Sequence, residues 1–199
     1  MRPLILQDWT DKWICWSSRG TYFATVHGPG IVLWGGSDFA KIRRFPHNDV
    51  EWMEFSPAEN YLVTYSSKDP SASHVFWNVV TGERVKAFPR EQGFQQFWWS
   101  HDDKYFARLN VKEGVVSVYE APACKLIPGG SVRLSHDIAA FKWSPSDNTI
   151  ACYVPEIENK PARVVLVRYV AFLHSHSQNS SHFHEISLEL PRTFRTTLL

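Results

Sequence analysis

An aromatic residue followed directly by serine recurs four times at nearly even intervals: Trp16-Ser17, Phe55-Ser56, Trp99-Ser100 and Trp143-Ser144, with the serines 39, 44 and 44 residues apart. Each pair closes a short aromatic-rich segment: Trp13 to Ser17, Trp52 to Ser56, Phe97 to Ser100 and Phe141 to Ser144. An aromatic that returns at fixed spacing fills the same packing slot in successive copies of one supersecondary unit, which constrains the chain to a repeat architecture.

The rest of each unit keeps the same register. Six residues past the aromatic an apolar segment begins, at Tyr22-Phe23-Ala24, Tyr61-Leu62-Val63, Tyr105-Phe106-Ala107 and Thr149-Ile150-Ala151. The residues between are turn formers. Proline after serine (Ser56-Pro57, Ser144-Pro145) presets a type I turn, and Gly20, Asn60 or Asn148 is placed to take the left-handed conformation that closes a bulged hairpin. A third strand is expected at Gly30 to Trp34, His74 to Trp77, Val115 to Tyr119 and Arg163 to Val167, rich in β-branched and aromatic residues. A fourth, alternating apolar with basic residues as an outer strand does, is legible as Ala40 to Phe45, Glu83 to Phe88 and Cys124 to Ile127.

Four antiparallel strands per unit of roughly 40 to 45 residues is the arithmetic of a β-propeller blade. The expected fold is therefore all-β: about four blades of a larger propeller, in units near 13–45, 52–88, 97–127 and 141–167, with the recurring Trp and Phe side chains between blades. A helical solenoid is excluded because no 3.6-residue period is present. Blades detached from a closed ring would expose sheet faces, so a partial propeller is expected to be marginally soluble alone and steadied by partners.

After Val167 the pattern stops. All ten glycines and all nine tryptophans lie upstream of Arg168. Residues 168–199 are therefore expected to form a divergent, irregular, poorly ordered tail. It carries His174, His176, His182 and His184, an arrangement able to supply imidazoles to a metal, but no predicted hairpin fixes their geometry and only Glu185 is near as a supporting acid. No metal and no cofactor are expected.

Charge decides which partners are open to such a scaffold. Twenty-one Lys and Arg against twenty Asp and Glu leave a net +1, too balanced to coat a nucleic acid through bulk charge, so any RNA contact must be local. Two local clusters qualify: Lys41, Arg43 and Arg44, near His47, and Arg84, Lys86 and Arg90 at the matching place in the next unit. Adjacent blades could join them into a stripe that meets RNA phosphates or an acidic protein face. The polar loop Ser66 to Ser73 reads as a surface insertion. Three widely separated cysteines, Cys15, Cys124 and Cys152, fit reduced thiols, and no segment reaches the roughly 18 to 20 apolar residues of a membrane helix or resembles a secretory signal, so a cytoplasmic protein is expected.

The strings Gly28-Pro29-Gly30-Ile31-Val32-Leu33-Trp34, Phe76-Trp77-Asn78-Val79-Val80-Thr81-Gly82 and Phe55-Ser56-Pro57-Ala58-Glu59-Asn60-Tyr61-Leu62 resemble the propeller of the B-subunit family of eukaryotic translation initiation factor 3, over Met1 to about Val167. The resemblance implies a non-catalytic scaffold whose partners are the other subunits of the factor, the small ribosomal subunit with its proteins and RNA, and messenger RNA indirectly. It departs from ordinary WD repeats in lacking any Trp-Asp dipeptide or Gly-His opener. An RNA-recognition aromatic string is also missing. The alternatives are an unrelated cytosolic WD-like adaptor or, less favoured, the propeller of a serine peptidase. No G-x-S-x-G elbow and no phosphate-binding GxxxxGK[ST] loop is present, so no enzyme is expected.

Overall fold

The computed structural model describes residues 12–90, 94–110, 113–133, 138–156, 161–170 and 182–189. All regular structure in them is β, and no helix long and apolar enough to cross a membrane occurs among them. The chain divides into two compact units, Met1–Glu91 and Gln92–Leu199, each holding two four-stranded antiparallel sheets.

In the first unit, sheet 1 is β1 (Ile14–Trp16), β2 (Tyr22–His27), β3 (Gly30–Gly35) and β4 (Ala40–Phe45), paired in that order. Sheet 2 is β5 (Trp52–Phe55), β6 (Tyr61–Tyr65), β7 (His74–Asn78) and β8 (Arg84–Phe88). In the second unit, sheet 3 is β9 (Phe94–Trp99), β10 (Tyr105–Asn110), β11 (Val115–Glu120) and β12 (Lys125–Arg133). Sheet 4 is β13 (Ala140–Trp143), β14 (Thr149–Val154), β15 (Arg163–Val170) and β16 (His182–Glu189). The four-strand meander expected of the first three repeats is present, and the fourth repeat, where three strands are expected, has four as well.

Each serine of the repeat builds its hairpin. Its backbone N–H donates to the carbonyl five residues on: Ser17 to Tyr22, Ser56 to Tyr61, Ser100 to Tyr105 and Ser144 to Thr149. Its hydroxyl accepts the N–H of Tyr22 at 2.9 Å, Tyr61 at 2.9 Å and Tyr105 at 3.0 Å in the first three, whereas Ser144 takes the N–H of Asp147. The serine thus satisfies two turn groups that a larger apolar residue would leave bare.

The left-handed position lies three residues past the serine, at Gly20 (φ 76°), Glu59 (φ 65°) and Asp103 (φ 60°). Expecting it at Asn60 places it one residue late, because the turn closes by an i to i+3 bond from these residues to Ser17, Ser56 and Ser100, and Asn148 does not adopt it. A left-handed Glu59 costs about 1 to 2 kcal/mol. It is offset by the side chain, which is buried and reaches into the turn of sheet 1, accepting from the Ser17 hydroxyl at 2.5 Å and the Arg19 N–H at 2.6 Å. Burial works to raise the Glu59 carboxyl; the bonds from Ser17, Thr21 and Arg19 outweigh it and hold the pKa low.

The cores lie between paired sheets. Ala24, Val26, Ile31, Leu33 and Phe45 of sheet 1 pack against Val50, Met53, Phe55, Leu62, Val75 and Trp77. In the second unit, Ala107, Leu109, Val116 and Val118 meet Phe141, Ile150, Cys152, Val165 and Val167, with the Trp98 and Phe141 rings 4.5 Å apart. The recurring aromatics do not all enter these cores. Phe55 is buried against sheet 1, and Trp143 packs on sheet 3 while donating to the Trp98 carbonyl at 2.9 Å. Trp16 points the same way from its own sheet, where no preceding sheet is present among the described residues of its unit, and is 55% exposed, touching only the rings of Phe23 and Phe39 among the aromatics.

The C-terminal region departs from expectation. An irregular tail is expected from residue 168, but β15 continues to Val170 and β16 pairs with it from Arg163↔Glu189 to Val170↔His182. Polar and apolar residues alternate only over Glu185 to Glu189, too short a run to register as a period, yet an edge strand needs little more than its backbone ladder. Residues 171–181 and 190–199 lie outside the described residues.

Candidate interaction surface

The six basic residues lie on or just beyond β4 and β8, the edge strands of sheets 1 and 2. A bulge in each strand divides them. Leu33 pairs with Arg43, whereas Trp34 pairs with Lys41, so Ile42 is the extra residue; in sheet 2 Phe76 pairs with Lys86 and Trp77 with Arg84, leaving Val85 extra. Directly paired residues project to the same side of a sheet. Arg43 and Arg84 therefore share the sides of Leu33 and Trp77, which face each other across the core, while Lys41, Arg44 and Lys86 take the opposite sides with Trp34, Val32 and Phe76. Lys41, Arg44, Arg84, Lys86 and Arg90 are exposed.

Arg43 is half-buried and already committed. Its two terminal nitrogens donate to the Val80 and Thr81 carbonyls in the β7–β8 turn, clasping sheet 2 to sheet 1. The same turn bends through Gly82 at φ +77°, where an added Cβ would fall 2.4 Å from the Arg43 side chain. Lys86 lies 5.3 Å from the Phe88 ring centroid, and the Arg90 N–H donates to the Pro70 carbonyl at 2.8 Å.

His47 does not join the basic cluster; it is buried. Its Nδ1 lies 2.7 Å from the Thr64 hydroxyl, which also accepts the indole N–H of Trp77 at 2.9 Å. A parallel tie holds sheet 1, where Trp34 donates to Thr25 at 3.1 Å and His27 lies 2.9 Å from the same hydroxyl. The signal in sequence is a threonine in the second strand and a tryptophan ending the third, Thr25 with Trp34 and Thr64 with Trp77. Without the Trp-Asp and Gly-His dipeptides it passes unnoticed.

Burial lowers the pKa of His47, against Asp69 and the Ala72 carbonyl, which raise it. A histidine held neutral gives stability that is complete above the unfolded value of 6.5 and is lost as pH falls from there toward the folded value, because the unfolded chain takes up the proton first. The contribution of His47 to the thermal midpoint of the full chain is expected to fall away as pH drops below 6.5, while Glu54, whose carboxyl is pushed up to about 7 by burial, works in the opposite sense over the same range. A His47→Gln variant is expected to start lower and to lose less on acidification below 6.5 than the parent chain; an equal loss would assign the titration elsewhere.

No cluster of three or more metal-ligating side chains occurs among the described residues. His174 and His176 lie outside them, and His182 and His184 fall on β16. None of the three cysteines forms a disulfide; Cys124 and Cys152 are buried, and burial, then the Glu54 carboxylate, pushes the Cys15 thiol up, which keeps it protonated and unreactive.

Sheets of four antiparallel strands repeated at blade spacing, each with the same serine hairpin, define a protein built from WD-type β-propeller blades. The chain is similar over most of its length to a segment of the B subunit of eukaryotic translation initiation factor 3. It is 38% identical to that protein from Drosophila pseudoobscura pseudoobscura over 184 residues, 92% of this chain and 26% of the relative. It is 42% identical to the one from Drosophila grimshawi over 164 residues, 81% of this chain and 23% of the relative. The chain thus spans about a quarter of the length of the relatives it matches. Among solved structures, one described as the crystal structure of the eukaryotic initiation factor matches at TM-score 0.64 and 26% identity, over 78% of this chain and 40% of that one. The WD40 repeats of RRP9 match at TM-score 0.50 and 13% identity, over 76% of this chain and 46% of theirs, a likeness of fold alone. No family model matches the chain.

Proposed function

We propose that this chain is a non-catalytic, cytoplasmic scaffold segment of translation initiation factor 3 that contacts the small ribosomal subunit, and through it messenger RNA, while other subunits of the factor hold it in the complex. The reading rests on the 38 to 42% identity to the factor's B subunit, which favours it over an unrelated WD-like adaptor or a peptidase propeller. Within the basic set, the division of labour is set by the bulges. Arg43 holds sheets 1 and 2 together, and Lys41 and Arg44, exposed on the other side of β4, are free to meet ribosomal RNA phosphates. Lys86 and Arg90 extend the same capacity along sheet 2.

A Lys41→Glu/Arg44→Glu variant is expected to bind purified small ribosomal subunits more weakly and to reduce the salt slope of binding by about 1 per phosphate contact removed, with the thermal midpoint unchanged. Binding measured across a salt series checks this. Unchanged affinity and slope would remove these residues from the interface.

A further inference from the structure

Sheets 1 and 2 share one layout, strand by strand. The side of sheet 2 turned to sheet 1 carries two rows of directly paired residues: Phe55, Leu62 and Trp77, then Met53, Thr64 and Val75. The same places in sheet 1 hold Trp16, Phe23 and Trp34, then Ile14, Thr25 and Val32, so that the tryptophan, the threonine and the valine are common to both. Only the cover differs. Met53 and Phe55 are 5% and 4% exposed beneath sheet 1, whereas Ile14 and Trp16 are 56% and 55% exposed, and Phe39, whose ring lies 5.8 Å from that of Trp16, is exposed as well. A contiguous apolar patch left in water marks a surface that another molecule covers.

What covers sheet 2 defines what fits sheet 1. The covering side of sheet 1 pairs Cys15, Ala24 and Leu33 in one row and Val26 with Ile31 in the next. Sheet 4 repeats that layout on the side away from the core of the second unit: Lys142, Ala151 and Leu166, then Tyr153 with Val164. Alanine and leucine return at the same places, and valine stands for isoleucine. This side too meets water, with Lys142 and Tyr153 exposed and Ala151, Val164 and Leu166 half-buried. Two places change character, Tyr153 for Val26 and Lys142 for Cys15. Cys15 packs on the core that holds Phe55, the counterpart of Trp16, so Lys142 is the residue that would meet a bare indole, and a lysine ammonium over a tryptophan face is attracted to it.

We infer that a second copy of this chain seats the outer side of its sheet 4 on the open side of sheet 1, with Ala151 and Leu166 in the role of Ala24 and Leu33 and Lys142 over the indole of Trp16. Two copies bring eight sheets together, within the range of about 4 to 8 blades that propellers ordinarily use. Unlike faces meet, so the contact is heterologous, and a chain that has lost one face still offers the other. The inference goes beyond the ribosome contact and is independent of it. Arg84, which pairs with Trp77 as Lys41 pairs with Trp34, stays exposed although sheet 1 covers Trp77, so a copy seated on sheet 1 leaves Lys41 in water.

Sedimentation velocity of the full chain is expected to pass from monomer to dimer between about 1 and about 200 μM, the range suited to an interface of the smaller size class. Trp16→Lys, which spoils the open side of sheet 1, and the double variant Lys142→Glu/Tyr153→Glu, which spoils the outer side of sheet 4, are each expected to raise the dissociation constant about tenfold or more. All three side chains are exposed, so the circular dichroism of dilute samples is expected to match the parent's. Mixing the two variants is expected to restore dimer, because each supplies the face that the other lacks. A parent chain that stays monomeric throughout would leave both faces to a different partner. Dimer persisting in Lys142→Glu/Tyr153→Glu alone would mean that two open sides of sheet 1 meet each other, and a mixture that stays monomeric would deny the pairing of unlike faces. Each of these three results overturns the assignment.

Discussion

Phe45→Ala is expected to lower the stability of the first unit by about 3 to 5 kcal/mol, read as a fall in the denaturant midpoint at constant slope. Phe45 ends β4, is fully buried in the core shared by sheets 1 and 2, and its ring lies 5.6 Å from that of Trp77. Removing it takes apolar contact from both sheets at once and leaves a void that neither can close, because a few residues away Arg43 fixes their separation by holding the Val80 and Thr81 carbonyls. A domain of this size has only about 5 to 15 kcal/mol in hand, so the alanine variant is expected to approach the unfolding limit at physiological temperature. Phe45→Leu, which keeps most of the volume, is expected to cost less, about 1 to 2 kcal/mol. A change under about 1 kcal/mol for the alanine variant would mean that the two sheets do not share a core.

What could be read from the residues was the repeat, and the reason is physical. The serine, the aromatic before it and the tyrosine or threonine five residues after it are local and recur, so their register survives without knowledge of the tertiary contacts. Strand starts at Tyr22, Tyr61, Tyr105 and Thr149 follow from that register. The left-handed residue was harder to place, since propensity points to Asn60 while the i to i+3 bond to Ser56 requires Glu59. Glu59 tolerates the conformation only because its carboxylate finds donors on Ser17 and Arg19, a long-range gain that no local pattern announces.

The bulges at Ile42 and Val85 were illegible for the same reason, and they matter most for function. A strict alternation sends Lys41 and Arg43 to one side and Arg44 to the other; the observed register sends Lys41 with Arg44 and Arg43 alone toward sheet 2. A cluster that reads as one basic patch is thus a structural clasp and two free cations. His47 misled in the opposite direction. Its neighbours in sequence are basic and polar, but its neighbours in space are Thr64 and Trp77.

That network sets the second large effect. Thr64→Val keeps the shape of the side chain and removes only the hydroxyl, and it is expected to destabilise the first unit by about 2 to 4 kcal/mol. Thr64 is fully buried, so no water can replace the lost oxygen: the Trp77 indole N–H and Nδ1 of His47 are both left without a partner, each at about 1 to 3 kcal/mol, less what is regained by not burying the hydroxyl. Thr64→Ser, which retains the oxygen, is expected to cost about 1 kcal/mol for the missing methyl. The two contributions separate in a double-mutant cycle with Trp77→Phe, where the valine substitution should cost distinctly less because one of the two stranded groups is gone. Thr25→Val makes the internal comparison: Trp34 is buried but His27 is only partly so, and water can reach the histidine, so the same change in sheet 1 is expected to cost less than in sheet 2. Equal harm from the two valine variants would mean that the burial of His47 adds nothing to the cost of losing the hydroxyl.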